Sequence, residues 1–187
     1  MDFTMKSTAS PIAGVFVLES NPVSDNRGSF ARMFCSNELS EILGTRQIAQ
    51  INLSKTTHTG TVRGMHCQTP PRAELKMISC VKGRVWDVAV DLRSGSKTFL
   101  HWFAQELSPD NLKTMVIPEG CAHGFQSLEP ACELIYLHTA HYDSESEKGF
   151  LPTDPQLNIR WPLPITMLSD RDRNHAPLQS DYGGICL

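Results

Sequence analysis

The chain has 187 residues, 40% of them hydrophobic, and a formal net charge of −3 at pH 7. This length suits one domain with a substantial core, since a chain of this size buries roughly 70% of its unfolded surface. The slight acidity excludes a global attraction to nucleic acid or to an anionic membrane, so any phosphate must be bound by a local basic cluster.

No apolar run approaches the roughly 18 residues of a membrane span, and the N-terminus lacks a basic-then-apolar signal. We therefore expect a cytoplasmic protein in which residues 1–187 form a single domain. The six cysteines include no C-x-x-C pair, which argues against a zinc ribbon or a thioredoxin-type redox centre. We expect them to be reduced, and most of them to pack as small apolar side chains.

Short apolar runs separated by Gly, Pro, Asn and Asp predict β-strands along most of the chain, as in an antiparallel sandwich or barrel. In chain order, the predicted strands are residues 14–19, 29–35, 62–67, 75–81, 85–91, 99–107, 113–117 and 133–139. Helical signals are few: one short helix is predicted within residues 36–44 and another starting at Ser169. The predicted fold class is all-β.

Four residues on the predicted strands and turns point to a chemical function: Arg63, His66, Lys76 and His123. A histidine titrates near neutral pH and can remove a proton. An arginine can bind phosphate oxygens with two parallel hydrogen bonds. This mixture of residues suits proton abstraction beside an anionic ligand.

These residues belong to a series of spaced motifs that resembles the dTDP-4-dehydrorhamnose 3,5-epimerase family, a group of cupin-type sugar-nucleotide epimerases. The resemblance runs along nearly the whole chain. Its anchors include Asp25-x-Arg27-Gly28, Gln50-x-Asn52-x-Ser54, Arg63-Gly64-x-His66-x-Gln68, Lys76, Ile117-Pro118-x-Gly120-x-Ala122-His123-Gly124-Phe125, Tyr136, Ile159-x-Trp161-Pro162 and Leu168-Ser169-x-x-Asp172. The resemblance implies a cupin-type jelly roll, a β-sandwich or barrel with a few short helices.

The family's reaction inverts a carbon next to a ketone, so it needs a base that removes a proton and an acid that returns one to the opposite face. The resemblance makes His66 the base, Asp172 the carboxylate that fixes its tautomer, and Tyr136 the acid. Lys76 would stabilise the developing enolate oxygen. The implied substrate is a nucleoside-diphosphate 4-keto-6-deoxy sugar, inverted at carbon 3, carbon 5 or both without a cofactor.

A wider set of polar residues is expected to bind the substrate. Arg63 would face the diphosphate, because its planar guanidinium matches phosphate oxygens. His123 would line the same cavity from the turn that follows Pro118. The complete set predicted to bind within the cavity is Arg63, Gln50, Asn52, Ser54, Gln68, Asp87 and His123.

The family also implies a homodimer, in which an N-terminal segment, here about residues 1–35, reaches the nucleotide site of the partner subunit. Arg27 would serve the partner's site. Two further binding candidates depart from the family's usual pattern. Arg32 stands where thymidine-binding members commonly carry a carboxylate, and His141 stands where a tyrosine is common. Since an arginine cannot accept the hydrogen bond that a base imide donates, the nucleobase and the sugar stay open.

Two other interpretations compete with an epimerase. Pro118-x-Gly120-x-x-His123 also resembles half of a metal-cupin signature, but His66-Cys67-Gln68 stands where a metal cupin would offer H-x-H. A site made of His66, His123 and Glu74 alone is a poor ligand set, so no metal is predicted. A non-catalytic cupin that binds sugar nucleotides would be expected to lack the acid–base residues, which are all present.

Overall fold

The computed structural model describes residues 4–187, which fold into two antiparallel β-sheets packed face to face. The strands are β1 (Met5–Ala9), β2 (Phe16–Ser20), β3 (Val23–Asp25), β4 (Gly28–Phe30), β5 (Gln50–Thr56), β6 (Val62–Gln68), β7 (Lys76–Lys82), β8 (Val85–Asp91), β9 (Trp102–Leu107), β10 (Lys113–Ile117), β11 (Cys121–Ser127), β12 (Cys132–His138) and β13 (Glu147–Gly149). Two single-turn helices are also present, α1 (Ser40–Leu43) and α2 (Asp170–Arg173). The prediction of an all-β fold with a few short helices is confirmed.

The strand order of the two sheets is that of a jelly roll. One sheet has six strands in the order β1-β2-β10-β7-β12-β5, and the other has five in the order β13-β6-β11-β8-β9, while β3 and β4 pair separately. Ile78 and Leu134 of the first sheet pack against Ala89 and Phe125 of the second. Within residues 4–187, no helix is long and apolar enough to cross a membrane.

Strand β8 shows how alternation separates two environments. Val88 and Val90 pack on the outer side of their sheet, in a cluster covered by the C-terminal coil through Leu157. Ala89 faces the other sheet instead. Asp87 lies on this inner side and is fully buried, as strand alternation predicts. A buried carboxylate is costly without a partner, so Asp87 must be hydrogen-bonded from a neighbouring strand.

The edge strand β5 alternates polar residues with the exposed Ile51 and Leu53. The interior strand β11 is absent from the predicted strands. Gly120 and Gly124 suggest a turn in the sequence, yet His123 lies in the middle of β11. The prediction that His123 belongs to a turn is therefore wrong.

Strands β6 and β11 approach closely at a register shift between His123 and Gly124. Gly64 has a φ of +118°, and a Cβ there would lie 2.6 Å from the Cα of Gly124. A Cβ on Gly124 would in turn lie 2.9 Å from the carbonyl oxygen of Arg63. Only glycine fits both positions, and the resulting register places His66 directly opposite His123.

Replacing Gly64 by alanine is expected to destabilise the fold by more than about 2 kcal/mol, because the new methyl group meets backbone atoms at a strained φ. The matched control is Gly183→Ala, since a Cβ at Gly183 has no heavy atom within 4 Å. Urea denaturation at neutral pH measures both. Equal stability of the two variants would show that the close strand approach is not a constraint.

Candidate active site

A cavity of about 280 Å³ opens between the two sheets. Strands β5, β7 and β12 of the six-stranded sheet form one wall, and β6 and β11 of the other sheet form the opposite wall. The predicted site residues that line it are Gln50, Asn52, Ser54, Arg63, His66, Gln68, Lys76, His123 and Tyr136. The fold therefore gathers most of the predicted site into a single space.

His66 is held from behind by Asp172. The Nε2 atom of His66 lies 2.7 Å from Oδ1 of Asp172, which is almost fully buried, whereas 29% of the His66 side chain is exposed. The other carboxylate oxygen accepts a hydrogen bond from the Gly64 amide at 3.3 Å. With Nε2 donating to Asp172, Nδ1 is the ring nitrogen free to accept a proton.

The short helix α2 presents Asp172 to the histidine. Ser169 caps the helix, its Oγ accepting a hydrogen bond from the Asp172 amide at 3.0 Å. Burial works to raise the pKa of Asp172, but the hydrogen bond and positive charge of His66, together with the Gly64 amide, outweigh it and lower the pKa. The carboxyl group is therefore ionised at neutral pH and can stabilise an imidazolium on His66.

Tyr136 lies across the cavity from His66, on β12 of the opposite sheet. Its ring meets His123 edge-on, with centroids 5.6 Å apart, and stacks on His138 at 5.9 Å. Burial, reinforced by the charge of Asp87, raises the pKa of Tyr136 well above its ordinary value. The phenol stays protonated at neutral pH, as a proton donor must.

Lys76 shares a buried carboxylate with a histidine. Its Nζ lies 3.3 Å from Oε1 of Glu74 and donates to the carbonyl oxygen of His66 at 3.3 Å. The second oxygen of Glu74 lies 3.0 Å from Nδ1 of His138. All of Lys76, Glu74 and His138 line the cavity and are buried. His138 was missed from the sequence, although it follows Tyr136 by two residues and so faces the same side of β12.

Asp87, predicted to bind within the cavity, is not among the residues that line it. Its Oδ1 lies 2.7 Å from Nε2 of His123, behind the ring that faces the cavity. Burial raises the pKa of Asp87, and the neighbouring His123 partly opposes this. Asp87 therefore orients His123 rather than a ligand.

Gln68 lines the cavity, but its amide group is already bonded to the chain. Its Nε2 donates to the carbonyl oxygens of Arg72 at 3.0 Å and His141 at 3.2 Å, and its Oε1 accepts from the Asp143 amide at 2.6 Å. Gln68 thus fixes the segment that follows β12. The His141 side chain is exposed and outside the cavity wall, contrary to prediction; the next residue, Tyr142, lines the wall instead.

Two predicted binding residues lie away from this subunit's cavity. Arg27 is exposed and pairs with Asp25 at 2.5 Å. Arg32 forms an ion pair with Glu38. Neither arginine is among the residues that line the cavity.

Cys67 also lines the cavity, and burial raises the pKa of its thiol to about 11. It is therefore a thiol and not a nucleophile at neutral pH.

His66 and His123 face each other across the two strands, but each is bonded to its own carboxylate. In the part of the chain that the structure describes, the set of side chains close enough to share a metal ion is His66, Asp172 and His175. This differs from the set that a metal cupin would use.

Comparison of the chain with known proteins identifies its family. The family model described as dTDP-4-dehydrorhamnose 3,5-epimerase matches residues 9–180. Over 180 residues, the chain is 39% identical to dTDP-4-dehydrorhamnose 3,5-epimerase of Shigella flexneri, covering 95% of this chain and 99% of that protein. Over 164 residues, it is 36% identical to dTDP-4-dehydrorhamnose 3-epimerase of Streptomyces niveus, covering 87% and 79%.

Comparison with solved structures leads to the same family. The crystal structure of dTDP-4-dehydrorhamnose 3,5-epimerase from Bacillus anthracis, with TDP and PPi bound, superposes with a TM-score of 0.89 at 35% identity, covering 94% of this chain and 100% of that chain. The jelly roll is that of the cupin-like epimerases, which are isomerases. Because the matches cover nearly the whole chain, they also identify the particular family: this chain belongs to the dTDP-4-dehydrorhamnose 3,5-epimerase family. The resemblance inferred from the sequence motifs is confirmed.

Replacing Asp172 by asparagine is expected to reduce the free energy of unfolding at pH 7, because the pKa of Asp172 is lower in the folded state than in the unfolded chain. The stabilisation is fully present above the unfolded pKa of about 3.9 and is lost as the pH falls through the lower folded value. The stability difference between wild-type and Asp172→Asn should therefore stay constant from pH 7 to about pH 4 and shrink at lower pH. The exposed Asp110→Asn is the control; an equal effect there would contradict the assignment.

Proposed function

We propose that this chain inverts carbon 3, carbon 5 or both of a nucleoside-diphosphate 4-keto-6-deoxy sugar in deoxysugar biosynthesis. The observation that carries the proposal is the placement of the His66–Asp172 pair and the protonated Tyr136 on opposite walls of one cavity. The relatives are named for dTDP-4-dehydrorhamnose, so dTDP-4-dehydro-6-deoxy-D-glucose is the reference substrate.

His66 is the proposed base. Its free Nδ1 removes the proton from a carbon beside the ketone, and the imidazolium that forms is stabilised by the ionised Asp172, 2.7 Å away. Because Asp172 is itself fixed by α2 and by the Gly64 amide, the ring is held in a single orientation.

Lys76 is the proposed partner of the enolate oxygen that develops as the proton leaves. Its ammonium group is buried, where a fixed charge acts more strongly than in water. Glu74 neutralises this charge in the resting cavity, so that a cation is kept in place without a bound anion. The negative enolate then meets a charge that is already positioned.

Tyr136 is the proposed acid. A base on one wall and an acid on the other produce inversion, because the proton returns to the face opposite the one it left. The raised pKa of Tyr136 makes the phenolate a short-lived species that recovers a proton rapidly. His123, in edge contact with the ring, helps hold Tyr136 in place.

The remaining cavity residues are proposed to bind the substrate. Arg63 lies at the exposed rim, where its guanidinium can meet the diphosphate. Gln50, Asn52 and Ser54 alternate along β5, so their side chains share one face and can order sugar or phosphate oxygens. The relative from Bacillus anthracis has TDP and PPi bound, which supports a nucleoside diphosphate as part of the substrate.

The assembly is proposed to be a homodimer with an exchanged N-terminal segment of about residues 1–35. Support comes from Arg27, which lies on the β3–β4 hairpin outside its own cavity, and from Phe30, Ile51 and Leu53, which are more than half exposed on this hairpin and on edge strand β5. Residues 1–3 of the segment lie outside the described residues. The proposed location is the cytoplasm, where the six free cysteines would stay reduced.

Incubation with dTDP-4-dehydro-6-deoxyglucose in heavy water tests the reaction. Wild-type protein should incorporate deuterium at carbon 3, carbon 5 or both, read by proton NMR and mass spectrometry. His66→Ala should slow exchange at every such carbon by at least about 100-fold, since it removes the base. Tyr136→Phe should retain exchange while impairing inversion.

Two results would contradict this scheme. A fully active Tyr136→Phe would remove the tyrosine from the acid role. Absence of exchange in folded wild-type protein would reject the reference substrate and require CDP-, UDP- and GDP-linked ketosugars to be tried. The surface substitution His58→Ala is the matched control, because His58 is exposed and outside the cavity.

A mixed dimer tests the exchanged segment. Arg27→Ala should lower kcat/KM by about tenfold or more if it removes a charged contact to the nucleotide. Coexpression of Arg27→Ala with His66→Ala should restore activity, because one site of the mixed dimer then has both native residues. Failure of the mixture to exceed its parents, with a dimer verified by ultracentrifugation, would place Arg27 outside the partner's site.

A further inference from the structure

A cluster of potential metal ligands adjoins the proposed base on the side away from the cavity. His175 lies on the coil just after α2 and is not among the residues that line the cavity. One ligand atom from each of His66, Asp172 and His175 lies within 4.8 Å of the others. The proton transfers proposed above do not use His175.

The local fold accounts for this convergence. Asp172 and His175 are three residues apart at the end of a helical turn, so their side chains project from the same side. His66 approaches them from β6, and its ring makes an edge contact with His175, with centroids 6.5 Å apart. Two separate segments thus contribute two imidazoles and a carboxylate to one point.

The side chain of His175 is half-buried, but its Nε2 atom is buried without the hydrogen bond that a ring nitrogen normally has. Within residues 4–187, its Nε2 has no partner. The tip of the ring fills the space beside Gly149, where a Cβ would come within 2.0 Å of Nε2. An unsatisfied buried polar group of this kind calls for an explanation.

We infer that His66, Asp172 and His175 form a reversible binding site for a divalent transition-metal ion such as Zn²⁺, and that the bound ion inhibits the enzyme. Imidazole and carboxylate are ligands that Zn²⁺ and Co²⁺ bind readily. Metal–ligand bonds of about 2.0–2.2 Å require ligand atoms about 3.3 Å apart. Binding therefore requires His66 and Asp172, now 2.7 Å apart, to separate slightly and His175 to move closer, which its position on coil allows.

Inhibition follows from competition for His66. An ion bound to the ring and to Asp172 replaces the 2.7 Å hydrogen bond between them, so the dyad that accepts the substrate proton no longer exists. Three protein ligands also leave a coordination position for water, which suits a reversible site. The binding step is independent of the proposed function, whereas the inhibition rests on it.

Titration of metal-free protein with Co²⁺ tests the binding step, since tetrahedral Co²⁺ absorbs in the visible region. Wild-type protein is expected to bind one Co²⁺ per chain, and Zn²⁺ should displace it. His175→Ala should weaken binding by at least about tenfold, as loss of a ligand does. The matched control is His101→Ala, because His101 is an exposed histidine outside the cluster.

Several outcomes would overturn the site. These are wild-type protein that shows no saturable Co²⁺ spectrum, His175→Ala that binds as tightly as wild type, and His101→Ala that loses binding equally. His175→Gln, which retains a polar side chain of similar length, replaces the alanine variant if the latter does not fold. Thermal melting of each variant identifies folding defects before titration.

The inhibition is measured as the ratio of deuterium exchange with and without Zn²⁺, taken separately for each variant. Zn²⁺ should slow wild-type exchange reversibly, EDTA should restore it, and His175→Ala should need at least about tenfold more Zn²⁺ for the same ratio. Tight binding without slowed exchange would overturn the inhibitory role. A wild-type protein that exchanges deuterium with none of the dTDP-, CDP-, UDP- and GDP-linked ketosugars, even without metal, would reject the proposed function, while the Co²⁺ titration would still decide the site.

Discussion

The close approach of β6 and β11 at Gly64 and Gly124 is the constraint on which the site depends. Without side chains at these two positions, the strands come near enough to set His66 opposite His123. The same Gly64 supplies the amide that anchors Asp172. This backbone feature therefore positions the proposed base opposite the neighbouring histidine and supplies one of the contacts that hold Asp172.

Each histidine at this cavity is paired with its own acid, and the pairs differ in what they can do. Asp172 is ionised by its donors and supports His66, which is partly open to the cavity. Burial dominates at Asp87, so His123 is held by a carboxyl group whose pKa is raised. The two histidines therefore differ in their proposed roles because of their surroundings: His66 is the proposed base, and His123 is proposed to hold the acid Tyr136 in place.

Much of the fold was predictable from local patterns. Alternation along β8 accounts for the inward position of Asp87, and His138 could have been found by the same rule. What local patterns could not reveal were contacts between distant segments: His66 and Asp172 are separated by 106 positions and were linked only through the family resemblance. The strand around His123 was missed because Gly124, which permits the close approach of β6 and β11, has the appearance of a turn residue in the sequence.

Glu74 neutralises Lys76 inside the cavity, whereas no such buried acid within residues 4–187 neutralises the charge at the rim. The interior presents a compensated ion pair, whereas Arg63 stands exposed at the rim. Dissolved salt screens an exposed guanidinium but hardly reaches a buried pair. With the roles proposed above, ionic strength should change the rate at which Arg63 binds the anionic nucleotide and leave the turnover of the bound sugar nearly unchanged. The nucleotide half of the substrate would meet a solvated charge, and the sugar half a buried one.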